Sequence, residues 1–166
     1  MANKQSFSPD DWNKILEGVA LSGVAVTAAD PSGLLGTFKE SFASASALVS
    51  AKQDPGANEL VKSVVADFES SEGRTKLREA LKKTLGGASQ ADVSKRCLQA
   101  LREVTVILDQ KAPNDAAVFK TWLRAISSRV AEAASEGGFA GFGGTKVSEK
   151  EKATLADISR ALGIAA

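Results

Sequence analysis

Histidine and tyrosine are absent from this chain, and cysteine occurs once. Without histidine the commonest general base is missing, so serine-histidine and cysteine-histidine catalysis are excluded. Soft-metal coordination goes with it, and any metal has to be held by carboxylate and carbonyl oxygens, as Ca²⁺, Mg²⁺ or Mn²⁺ are. The lone thiol, Cys97, cannot close an internal disulfide, which fits a reducing compartment. Charge of one sign is lacking too. A net charge of +1 and a pI near 7.8 supply no global field to attract nucleic acid or anionic lipid, so neither is an expected partner. The apolar stretch 15–29 is shorter than the ~20 residues that span a bilayer and contains Glu17, so no intrinsic membrane association is expected. Asp10 and Asp11 stand where a secretory leader would need a basic end. A cytoplasmic protein without a cofactor is the expectation.

What is present is the composition of a globular domain: 166 residues, 43% hydrophobic and 25% charged, enough for one core and too few for two. Apolar residues recur at helical spacing and no alternating β-branched run appears, which predicts an all-α fold, a single compact bundle of about seven helices. The spacing places helices over 9–29, 31–51, 57–69, 74–85, from 89, from 114, and from 148 to 162. All four prolines (Pro9, Pro31, Pro55 and Pro113) fall at or just before a helix start, where a missing N–H does no harm. Ser8, Ser89 and Ser148 read as N-caps, with Glu151 reaching back in a capping box, and Gly163 as a C-terminal stop. The first helix is apolar on more than one side and carries Gly18, Ser22 and Gly23, so it is expected at the centre of the bundle. Trp12, Phe38, Leu101, Trp122 and Leu155 are expected core residues. The helix from 114 is predicted to bury Val118, Trp122, Ile126 and Val130.

The least ordinary stretch is Gly137-Gly138-Phe139-Ala140-Gly141-Phe142-Gly143-Gly144-Thr145-Lys146. Its glycines imitate a phosphate loop, but a helix precedes it where a strand is required, its lysine comes last, and Glu149 and Glu151 oppose an anion at the next helix start. Phe139 and Phe142 are candidate anchors for a protein partner or a bilayer; the competing account folds the rings over the core. The helix at 74–85 carries Arg74, Lys76, Arg78, Lys82 and Lys83 against Glu79, either a solvated face or a contact for acidic partners or lipid. Cys97 sits on an apolar face and reads as a buried, inert thiol. Four carboxylates lie at helix junctions: Asp30 at the first, and Glu136, Glu149 and Glu151 around the last. Brought together they would hold a hard cation, and apart they are caps and first-turn charges.

Two segments share a pattern. Residues 28–36 align without gaps to 133–141, each where one helix gives way to the next. The run from Val130 to Gly137, then Val147-Ser148-Glu149-Lys150-Glu151-Lys152 with Leu155, Ile158 and Ala161-Leu162-Gly163, resembles the closing motif of the tellurite-resistance TerB-like helical family. The resemblance implies an all-α fold of about this length, divalent-cation binding (calcium or magnesium) through acidic residues at those turns, and a role in stress responses near the membrane. The chain departs from the family pattern in its long carboxylate-free loop and in having Pro31 at the first turn. The reading is a non-enzymatic helical interaction or stress-associated module. The alternative is a divalent-cation sensor using Asp30, Glu136, Glu149 and Glu151.

Overall fold

The computed structural model describes residues 1–29, 56–136 and 147–165, with the side chains of 133–136 left outside that description. The helix expected over 31–51 and the core position Phe38 therefore lie outside the described residues. So does the shared pattern beyond each helix end. Within them the fold is all-α, as the spacing predicts, with six α-helices after a short 3-10 turn at Lys4–Ser6. No helix among the described residues is long and apolar enough to cross a membrane.

Helix α1 spans Pro9–Ala29. Ser8 Oγ accepts from the Asp11 amide at 3.2 Å, and Pro9 fills the first helical position, where no amide proton is needed. Helix α2 (Glu59–Glu69) is capped by Asn58, and α3 (Ser71–Leu85) by Ser70, whose hydroxyl accepts from the Gly73 amide. These caps shift both starts from the sequence expectation, because Asn58 and Ser70 satisfy free amides better than Ala57 or Gly73 can. Helix α4 (Gln90–Lys111) begins at the expected Ser89, and only Ala112 separates it from α5 (Pro113–Glu136). Helix α6 (Glu149–Leu162) has the capping box foreseen between Ser148 and Glu151 and ends at Gly163, which takes the left-handed φ of 65°.

Helix α1 is central: it packs against α3, α4, α5 and α6, and thirteen of its residues are buried. A helix enclosed this fully has to let neighbours come close, and its small residues do so. A Cβ built on Gly18 would sit 2.7 Å from Val104 Cγ2 on α4, inside any tolerable contact distance. Further along, Ser127 Oγ on α5 donates to the Ser22 carbonyl at 2.9 Å. Trp12 is buried at the other end, its indole N–H donating to Asp67 Oδ2 at 2.6 Å and its ring tilted against Phe7.

Leu101, Leu155 and, on α5, Ile126 are buried as expected, but the rest of the α5 face is turned from the expected one. Trp122 is only half-buried and Val118 is 43% exposed, while Phe119, Leu123, Ile126 and Ala131 face the core. Helix α5 carries two apolar ridges offset by one residue, and spacing alone does not tell which turns inward. Trp122 flanks the true ridge, packing edge-on to Phe119 with centroids 5.2 Å apart. Leu77, Leu81 and Leu85 of α3 are likewise half-buried, so α3 lies on the rim of the bundle.

Two outcomes follow from this packing. Gly18→Ala should destabilise the protein by ~1–3 kcal/mol in chemical denaturation, because branched, buried Val104 has no room to give. Combining it with Val104→Ala should cost less than the two single changes summed, since the added methyl then enters the vacated space; strict additivity would refute the close approach. Phe119→Ala should cost ~3–5 kcal/mol and exceed the cost of Trp122→Ala. The reverse order would restore the face expected from the spacing.

Candidate functional site

The carboxylates read as a cation set are partly placed. Asp30 lies outside the described residues, as does the side chain of Glu136, although Glu136 closes the backbone of α5. Glu149 and Glu151 share the first turn of α6 but point to different partners. Glu149 is exposed and pairs with Lys152 at 2.6 Å, whereas Glu151 is buried and accepts from the Ser148 amide at 2.7 Å. Both serve the helix that carries them, neutralising its positive end and its free amides. No group of three or more potential metal ligands is found among the described residues. Phe139 and Phe142, the proposed anchors, lie outside them.

Cys97 is fully buried on the α4 face that also carries Leu101 and Val104. Burial, with the nearby Glu17 charge adding to it, pushes its thiol pKa up to about 12, so no thiolate forms near neutral pH.

A groove of about 1010 Å³ lies between α1, α3 and α4. Helices α3 and α4 are joined only by residues 86–89, yet α3 leans on α1 and α2 and barely touches α4, leaving the space between them open. Six cations line it: Lys14 from α1, Lys76 and Lys83 from α3, and Lys95, Arg96 and Arg102 from α4. Four carboxylates, Asp10, Glu17, Glu79 and Glu103, are interleaved with them. Some of this charge is neutralised, with Lys14 and Glu103 pairing at 3.0 Å across α1 and α4, and Lys76 pairing with Glu72. Arg96 donates to the Thr84 carbonyl at 2.7 Å, tying the groove's closed end. Lys83, Lys95 and Arg102 have no such partner among the described residues. On the groove's α1 side, one Glu17 oxygen, Oε1, is shut off from solvent with no hydrogen-bond donor.

Of the basic residues singled out on α3, Lys76 and Lys83 line this groove, while Arg74, Arg78 and Lys82 do not; the walls from α1 and α4 were not foreseen. The signal was present as charged residues at helical intervals, Asp10, Lys14 and Glu17 on α1 and Lys95, Gln99 and Arg102 on α4. Their convergence depends on which helices are neighbours, and that is tertiary information. The groove's chemistry suits recognition: its side chains are exposed and charged, and its mixture of signs specifies orientation as well as attraction. No family model matches this chain, and no match was found among the curated proteins or the solved structures.

The charge pattern fixes how stability varies with pH. The Lys111 ammonium holds Asp11 below the ordinary carboxylate range; Lys76 does the same for Glu72, the Ser89 hydroxyl for Asp92 and Lys14 for Glu103. Such groups contribute stability that is present above their unfolded pKa and lost as pH falls through the lowered folded value. Lys14 and Lys76 are raised in turn, by Glu103 and Glu72, so their share is complete below the ordinary lysine value of 10.5 and lost as pH rises through the raised one. With no histidine to titrate between, thermal unfolding should give a flat melting temperature from about pH 5 to 8, falling on the acid side below about 4 and again above about 9, where the thiol of the unfolded chain ionises and buried Cys97 does not. A sigmoidal step centred between about pH 5 and 8 would contradict it.

Proposed function

We propose that the protein is a non-enzymatic interaction module whose docking surface is the groove between α1, α3 and α4. One observation carries the reading: three helices turn charged faces into a shared open space, and part of that charge is left without a partner among the described residues. Gathering cations on several walls of one open space costs repulsion that a partner of opposite charge would offset. The lack of histidine and the inert Cys97 support a role in binding rather than turnover. The likeness of the last helix and its approach to the TerB-like family supports a stress-associated adaptor of the same kind.

Site-specific photo-cross-linking tests the reading. A photoreactive residue placed at Ala80 or Gln99, both in the groove, should give covalent adducts of one common added mass in cells of the source organism. The same residue at Arg78 or Thr121, both exposed and outside the groove, should give none of that mass. Equal adducts at all four positions, or none at any, would refute docking in the groove.

A further inference from the structure

We infer that the occupant of this groove is a net-acidic helical polypeptide segment, lying along α3 and α4 with its carboxylates on Lys83, Lys95 and Arg102. The inference rests on the docking reading above and adds the chemistry of the partner.

The cations argue for an acidic ligand. Lys83, Lys95 and Arg102 are exposed, line one groove and have no carboxylate within pairing distance among the described residues. The groove as a whole holds an excess of positive charge in a chain that is almost neutral, so its positive character is local. Like charges facing each other across α3 and α4 repel, and an anionic occupant turns that repulsion into attraction on both walls.

The carboxylates decide which kind of acidic ligand. A nucleic acid strand presents a phosphate at every residue and would meet Asp10, Glu79 and Glu103 head-on. Among the described residues no aromatic side chain lines the groove to stack a base. A polypeptide carries ammonium and amide donors beside its carboxylates and can meet those acids as well as the cations; a phosphodiester backbone offers no such donors. The groove's volume matches the upper end of small-molecule pockets, and its walls are three helices carrying charge over several turns, which suits a chain segment better than a compact metabolite.

The spacing decides the conformation. Lys76, Ala80 and Lys83 on α3, and Lys95, Gln99 and Arg102 on α4, recur at three- and four-residue intervals, so each wall is a row of alternating charge and gap at helical pitch. A helix with glutamates at the same intervals matches both rows at once, which is the helix-in-groove mode with ion pairs replacing most of the usual apolar anchors.

Fluorescence anisotropy with defined probes tests this. The probes are an alanine-rich helical peptide bearing a row of glutamates and a single lysine, the same peptide with its signs exchanged, and an oligothymidylate. The acidic peptide should bind at low ionic strength and weaken steeply towards ~0.5 M salt, while the other two stay unbound. Reversing the three unpaired cations together (Lys83→Glu, Lys95→Glu, Arg102→Glu) should weaken the acidic peptide by at least about tenfold. Reversing Lys62 and Arg78, which lie outside the groove, should leave it unchanged. If the charge-reversed protein loses its helical dichroism, glutamine at the same three positions replaces it, and the same direction of change is expected. Tighter binding of the oligothymidylate than of the peptide, indifference to the three substitutions, or no binding of the acidic peptide would each overturn the inference. A common adduct in the cross-linking experiment with no acidic-peptide binding would leave docking standing and reject only the partner's chemistry. Failure of both would reject the groove as a docking surface.

Discussion

Everything in this fold is arranged by the need to enclose α1. A helix apolar on most sides cannot rest on a surface; it has to be surrounded, and the distance of approach is set by its smallest residues. Gly18 is where this is most acute, since Val104 occupies the space a side chain would take. That contact fixes how close α4 lies. The facing ridges of α4, Cys97, Leu101, Val104 and Leu108, then determine where α5 and α6 close the remaining sides. Helix α3 reaches α1 at the rim only and is the element least committed to the core.

Apolar contact sets the distances, and a few polar bonds set the register. Asp67 gathers the Trp12 indole and the Lys4 ammonium, holding the N-terminal turn, α1 and α2 at one corner. Asp115, buried at the start of α5, accepts from the Ala2 amide at 2.7 Å and from the Asn58 side chain at 3.1 Å. In the interior, Ser127 bonds the α1 backbone, and half-buried Arg124 donates to Ser159 on α6 at 2.8 Å. Each bond would be lost if one helix slid by a turn, so they select one alignment among several that hydrophobic burial alone would tolerate.

Much of the helical scaffold was legible from residues near each other in the chain. The capping box of α6, the Ser8-Pro9 start of α1, the Ser89 cap and the Gly163 stop all act within a few residues, so reading them needs no knowledge of the fold. The enclosure of α1 was legible too, because apolar residues on more than one side call for neighbours on each of them. Reasoning failed where two local answers were equally good. On α5 the ridge through Val118 and Trp122 looks as apolar as the one through Phe119 and Leu123, and only the neighbours choose between them. Of the groove only part of one wall was legible, since charge on α3 gives no hint that α1 and α4 present theirs to the same space. The junction carboxylates mislead in the other direction: Glu149 and Glu151 are adjacent in sequence and helix, yet each is taken up by its own short-range partner.

The burial of Cys97 makes the molecule its own probe. As the chain's only thiol, fully enclosed on the α4 face that carries Val104, it reacts with an alkylating reagent only when that face leaves α1. The rate of modification then counts openings of the central seam, one residue reporting on one interface with no label introduced. An occupant in the neighbouring groove that braces α4 against α1 would be registered from inside the protein as a slower clock.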